Sequence, residues 1–453
     1  MPSHSSSPAA ARRLPASVLA GYALPGAGVS FMENLIQFYL LKFAADVLLL
    51  SPAWTGALLG IARVWDAGSE PLVGYWSDRT RTRLGRRRPW LLGAALPLAL
   101  SFAALWSPPA TLSSEALTFW MLCALVLFVG AQSAFQVPHL ALGAELTQDE
   151  RERNRVFAVR LALSLSGVFL AALTLGGLER ASDPRGAAVR VAAAAGVATA
   201  ALCALAVWRV REPREHAARA MASPWAAFGG VLRNPHARCL LAVVFLEAIG
   251  FATMTTSMAF ATQYLFQREG ATSLFLASAL VAMLASVPVW MRLARRWGRL
   301  RLWQASLVGR ALAFGSLLVL PATAWQVVVV SIVVIGALFG CGSIFGPAVK
   351  ADVIDDDARR SGERREGTFF ASWNLAQKGA EAAAIALAGV VLELSRFTPN
   401  AVQDAGALLG IRALFAGFPC CFYALAALLL GVLRLTPAAQ PACAAARDST
   451  QRR

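Results

Sequence analysis

Twelve stretches of the chain stay apolar for about twenty residues or more, the length an α-helix needs to cross the hydrocarbon core of a bilayer. They lie at 17–45, 53–76, 90–108, 116–140, 156–178, 188–208, 238–265, 272–291, 302–320, 326–349, 368–392 and 408–434. Short polar segments separate them. The pattern predicts an all-α membrane protein of twelve transmembrane helices. The first run is too long for a cleavable signal peptide, and it carries Glu33, Gln37 and Lys42. Residues 1–14 and 437–453 are expected to be disordered tails.

The polar segments are not equivalent. With the tails and the even-to-odd loops on one side, that side holds 31 of the 42 Lys and Arg residues, the other side holds 6, and 5 lie within spans. By the positive-inside rule both termini are cytoplasmic. The same asymmetry accounts for the net charge of +16 without nucleic acid. Composition agrees: 57% of residues are hydrophobic and 15% charged, against about 45–50% and about 25% in soluble domains. A soluble enzyme, a disordered chain and a secreted disulfide scaffold are all disfavoured. The seven cysteines form no CxxC pair and the four histidines no HExxH, so neither a disulfide frame nor a metal site is expected. No nucleophile–base pair stands at membrane depth, so no catalytic residue or organic cofactor is expected.

A repeat organises the spans. Residues 83–90 and 296–303 share R-x-G-R-x-R-x-W, 213 positions apart, each joining the second and third span of its half. Any short cytoplasmic loop tends to be Arg-rich, but that leaves Gly and Trp in register unexplained. Two six-helix halves in the same orientation follow, related by a pseudo-two-fold axis along the membrane normal. Their bounds are 15–208 and 238–436, with 209–237 as a cytoplasmic linker.

Charges at bilayer depth cost about 2.5–3.5 kcal/mol each on insertion scales, so they mark cavities or partners. Span two holds Arg63, Asp66 and Glu70, with Gly74 continuing the same stripe. A structural ion network is the bland reading. Two acids against one Arg leave a spare negative charge, which a hard cation or a retained proton relieves. Span eleven carries Trp373, Asn374 and Lys378, then Glu381. Lys378 could partner the span-two acids across a cavity and compete with a cation; a snorkelling lysine is the weaker reading, ten residues inside the span. Span four offers Gln132, Ser133 and Gln136, more ordinary as helix-packing groups. Glu33 and Glu247 are further buried acids. His139 could relay protons, though a satisfied histidine at a helix end is the commoner case. The glycines of span ten read as packing surfaces.

The run WDAGSEPLVGYWSDRTRTRLGRRRPW (65–90) resembles the second span and following loop of the glycoside–pentoside–hexuronide:cation symporters, a family of the major facilitator superfamily that includes melibiose permease. PHLALGAELTQDERERNR (138–155) resembles its four–five loop, and DVIDDDARRSGERREGTFFASWNLAQKGAEA (352–382) its ten–eleven loop and lysine-bearing span. The resemblance implies the major facilitator fold. It makes Asp66, Glu70 and Ser133 the cation site, with Lys378 and Arg63 in coupling. Departures bear on the solute. The second acid is Glu70 where Asp is usual. Two sugar-binding acids of melibiose permease fall at Ser30 and Gln136, and its cavity tryptophan at Leu140. Its span-five arginine matches Arg160 after a one-residue shift. Glu33, one turn from Ser30, offers a substitute acid, and Trp373 and Asn374 complete the candidate solute site.

The function expected is secondary active transport by alternating access, coupling a small solute of the sugar or glycoside class to Na⁺ or H⁺. A cation-coupled lysolipid carrier, or a transport-inactive sensor or assembly protein of the same fold, is the alternative. The loop arginines Arg79, Arg83, Arg86 and Arg88, with Asp78, are expected to face Glu145, Asp352 and Asp356 as a cytoplasmic gate. The chain is expected to act as a monomer among the lipids of a bacterial inner membrane.

Overall fold

The computed structural model describes residues 13–147, 149–210, 212, 231, 233–321, 324–361 and 366–432. Both tails and most of the linker lie outside the described residues. The twelve expected spans are helices: α1 Ala16–Lys42, α2 Pro52–Arg79, α3 Arg88–Trp106, α4 Ser114–Glu145, α5 Glu150–Glu179 and α6 Pro184–Arg209 form one half. In the other are α7 Pro235–Leu265, α8 Thr272–Trp297, α9 Arg299–Val319, α10 Trp325–Ser361, α11 Glu366–Leu394 and α12 Ala405–Val432. Their starts are encoded locally. The side chains of Ser51, Asp149, Asn234 and Asp404 accept hydrogen bonds from the first free N–H groups of α2, α5, α7 and α12.

Ten of these helices are long and apolar enough to span a bilayer on length and composition alone. The exceptions are α1 and α2, which carry Glu33, Asp66 and Glu70. They are tolerated because other helices enclose them: most of α1 is buried, including Tyr22, Met32, Leu35 and Leu40. The lipid-facing residues are apolar instead, as with the exposed Val64, Leu312 and Leu428. One boundary differs from expectation. Residues 350–361 were a loop by sequence but continue α10, because Val353 and Ile354 keep a buried face and Asn234 donates to Asp357 at 2.8 Å.

The repeat is visible in backbone geometry. Gly85 and Gly298, in register, have φ of +106° and +79°, values that only glycine adopts at ease. At the opposite end, α1 and α7 close with π-helical turns at Phe43–Val47 and Ala261–Leu265. Each is followed by a left-handed residue, Leu49 and Gln267, with φ of 55° and 53°. Here the offset is 218 positions, so the halves share shape even where their sequences differ.

The halves meet at the arginine-poor end. Ser51 donates to Glu393 at 2.8 Å, Thr272 to Glu179 at 2.6 Å, and Asn400 to the carbonyl of Asp46 at 2.7 Å. Aromatic clusters back this seam: Tyr39, Phe43 and Trp106 on one side, Phe275, Trp325 and Phe415 on the other. At the arginine-rich end no hydrogen bond or ion pair among the described residues joins the two halves. Among the described residues, the polar contacts that join the halves at either end are therefore those of the arginine-poor end.

Gly56 and Gly389 set how closely α2 and α11 approach. A Cβ on Gly56 would lie 2.9 Å from the Ile385 carbonyl, and one on Gly389 would strike the Pro52 carbonyl. Both obstacles are backbone and cannot rotate away. Gly389→Val is expected to part these helix ends. Spin labels at the exposed Leu49 and Leu394 should then report a longer separation. An unchanged distance would show that the contact relaxes locally.

Candidate functional site

The polar face of α2 is turned toward α4 and α11 at mid-depth. Arg63, Asp66 and Glu70 share that face because their spacings match the helical repeat. Asp66 is buried, and its Oδ2 lies 2.7 Å from the ammonium of Lys378 on α11. Glu70 Oε1 lies 2.8 Å from the same nitrogen. Ser133 on α4 donates to Asp66 Oδ1 at 3.2 Å and sits 2.9 Å from the hydroxyl of Ser69. These side chains, spaced over 312 residues of sequence, form one cluster across the seam between the halves.

Arg63 ties in further groups. One of its nitrogens donates to Gln37 at 3.1 Å and lies 3.4 Å from Glu381 Oε2. The other is 4.0 Å from both Glu33 and Asp66. Four carboxylates thus face two cations, an excess of negative charge when every acid is ionised. At an effective dielectric of 20, a unit pair at 2.8 Å attracts by about 6 kcal/mol, and desolvation of each ion offsets several kcal/mol of that. The Lys378 bridge is therefore strong only while Asp66 and Glu70 both carry charge and no other cation replaces the ammonium. The site expected to hold a cation has a built-in competitor.

The remaining sequence candidates scatter. Ser30 lies one turn before Glu33, its carbonyl accepting from Asn34. Gln136 is half-buried one turn beyond Ser133. Arg160 on α5 packs against Gly26 of α1, its buried Nε without a hydrogen-bond partner. Trp373 is buried beneath the ammonium of Lys350, 5.3 Å from the ring centroid, while Asn374 next to it is exposed. His139 is buried between the rings of Tyr22 and Phe135, with Nε2 2.7 Å from the Tyr22 carbonyl. It is a packed histidine whose Nε2 is engaged, while its buried Nδ1 has no hydrogen-bond partner.

Among the described residues, Arg86 and Arg87 of the arginine loop form ion pairs within the first half and the start of the linker. Arg86 and Arg87 pair with Glu145 at 2.8 and 3.2 Å, and Arg87 also with Asp78. Arg88 donates to the Val207 carbonyl, Arg79 stacks on Tyr75, and Arg83 is exposed. Asp352 pairs with Arg299, and Asp356 approaches Arg359, all in the second half.

Three features were not assigned from sequence. Glu381 is the partner of Arg63; its position three residues after Lys378, on the same face, was the available signal. Glu247 accepts from both Arg310, at 2.7 Å, and the indole of Trp303, at 3.2 Å. Beside that pair a cavity of about 450 Å³ runs between the halves, lined mainly by α5, α7, α8 and α10, with Asn34 and Phe38 of α1 and Gln377 of α11 also reaching it.

Twelve helices in two repeated halves, with a charged cluster bridging them at mid-depth, define a membrane carrier of the major facilitator fold. The family model for MFS/sugar transport proteins matches residues 21–437, and the chain belongs to that family. It is 25% identical to the putative glycoside/cation symporter YagG of Escherichia coli, over 92% of each chain. It is 26% identical to the glucuronide carrier protein homolog of the same organism, again over 92% of each. A stretch covering 32% of this chain and 27% of the other is 32% identical to a sodium-dependent lysophosphatidylcholine symporter of Danio rerio. A similar stretch is 37% identical to an uncharacterized symporter of Synechocystis and spans 27% of it. Among solved structures, a D-xylose–proton symporter superposes with a TM-score of 0.66 at 15% identity, over 93% of this chain and 98% of its own.

Proposed function

We propose that this protein is a secondary active symporter that couples movement of a small solute to Na⁺ or H⁺ by alternating access. The observation that carries the reading is the Lys378 ammonium held between Asp66 and Glu70 across the two halves. A cation bound at Asp66 and Glu70, or a proton on either, weakens that bridge and so alters how the halves are held together. Ion occupancy and conformation are thereby linked, and solute and cation each strengthen the other's binding. Ser133 assists the ion; Arg63 keeps the remaining acids in place. The glycoside and glucuronide names of the long-matching relatives support a sugar or glycoside solute. The largely apolar cavity between the halves favours a second reading, a lysolipid or other amphiphile, which fits the lysophosphatidylcholine symporter among the shorter matches.

By the positive-inside rule the arginine-rich face is cytoplasmic, with both termini on that side of a bacterial inner membrane. The Arg86 and Arg87 pairs then belong to an inward-open state, and the loop arginines would re-pair across the halves when the inside closes.

The test is uptake into proteoliposomes of a labelled panel of glycosides and a lysolipid, under imposed Na⁺ or pH gradients. The wild type should accumulate one of them uphill. Asp66→Asn removes one of the two charges that hold the ammonium and is expected to abolish cation-driven accumulation. Uphill uptake surviving this change would refute the site assignment.

A further inference from the structure

We propose that the cavity between α5 and the second half binds a single-tailed amphiphile with an anionic head, and that Lys350 is the residue that takes the anion. This deepens the transport reading by naming a ligand class, and rests on it only in taking the protein to be a carrier.

Shape is the first argument. The cavity is lined along α10 from Ile332 to Lys350, about 27 Å at 1.5 Å per residue. Along α7 it runs from Val244 to Met258, about 21 Å on the same rise. A volume of about 450 Å³ spread over that length is a slot. Its wall is almost wholly apolar, and Met254, Met258 and Met283 supply side chains that adapt to an irregular chain. A compact sugar needs convergent polar groups on several sides; a hydrocarbon tail does not.

Charge is the second. Three ionic side chains reach the slot: Glu247, Arg310 and Lys350. The first two neutralise each other at 2.7 Å, and the Arg310 guanidinium lies 4.9 Å from the ring centroids of both Phe339 and Tyr423. Lys350 has only the Trp373 ring, with no carboxylate in ion-pair range among the described residues. A half-buried cation whose one carboxylate neighbour in the slot, Glu247, is already paired with Arg310 is complementary to an anion carried on a tail.

Position is the third. Gln377 lines the slot near Lys350 and donates to Glu381 at 3.3 Å, and Glu381 is the partner of Arg63 in the cation cluster. A head group seated at Lys350 would touch a residue one bond from that cluster.

The experiment is thermal stabilisation of the protein in lipid nanodiscs, titrated with n-dodecyl phosphate, n-dodecyl glucuronide, n-dodecyl glucoside and inorganic phosphate. Saturable stabilisation by the anionic amphiphiles, and not by the neutral glucoside or phosphate alone, is expected. The two anionic arms tell a phosphate ester from a uronic acid. Lys350→Met should weaken binding roughly tenfold or more, the worth of a charged hydrogen bond, while Lys350→Arg keeps most of it. Equal binding of the glucoside, or an unchanged affinity in Lys350→Met, overturns the proposal. The assay uses no ion gradient, so its failure leaves the Asp66→Asn result standing, and the converse also holds.

Discussion

Arg310→Met is expected to lower stability by about 3 kcal/mol, the lower part of the range for breaking a buried ion pair. The guanidinium is fully buried and makes three kinds of contact at once. It pairs with Glu247 at 2.7 Å, packs against Phe339 and Tyr423, and donates weakly to Ser306. Methionine fills much of the volume but strands Glu247, left with the Trp303 indole as its donor. The cost stays at the low end because Glu247 lines the cavity and can turn toward it. Thermal unfolding in detergent checks the value. Adding Glu247→Gln to the same chain should recover a large share, since the stranded charge is then gone. Arg310→Lys should fall between, keeping the charge but not the flat face that lies against two rings. A change within about 0.5 kcal/mol, typical of an unconstrained surface substitution, would show that the pair does not hold the second half together.

The contrast between this pair and the α2 stripe shows what the sequence can and cannot reveal. Asp66 and Glu70 stand out because each interrupts an apolar run on one helix, and helical spacing alone puts them on one face. Glu247 and Arg310 interrupt their runs equally, but they sit on α7 and α9. Nothing in a linear pattern says that those two helices are neighbours. Glu381 was overlooked for the same reason, since its partner Arg63 is supplied by packing from the other half. The loop arginines show a different limit. Arg86 meets Glu145, one of its expected partners, but Glu145 and Asp78 lie in the same half, so these pairs do not reach across the seam in this conformation. The slot beside α10 left no trace in sequence because its lining is drawn from the same Leu, Met, Ile and Phe residues that face lipid. Even Lys350 read as a loop residue, for α10 runs twelve residues beyond the apolar stretch on the strength of an amphipathic continuation. Helix positions were legible because they depend on local composition. Pairings across the seam were not, because they depend on which surfaces meet.

Lys378→Met is expected to raise affinity for the coupling ion at least tenfold while abolishing net uptake. The ammonium lies 2.7 and 2.8 Å from Asp66 and Glu70, and each contact is worth up to about 6 kcal/mol before desolvation is charged against it. A net remainder of only about 1.4 kcal/mol from the two contacts corresponds to tenfold in binding. Without the lysine, four carboxylates face Arg63 alone, and the small cation no longer has to displace a tethered one. The same change removes one of the two ionic links between α2 and α11, leaving the Arg63–Glu381 pair when the ion has left. The empty carrier then lacks the neutralised state needed to return, so exchange of labelled for unlabelled solute should persist where accumulation fails. Binding of labelled Na⁺, together with counterflow and net uptake in proteoliposomes, measures all three. Lys378→Arg should behave in the contrary way. A guanidinium in the same place stays charged and can engage both acids, so the ion is excluded and exchange itself slows. If Na⁺ and H⁺ both bind the methionine variant no more tightly than the wild type, the lysine is a structural strut, and the coupling ion must be sought elsewhere in the protein.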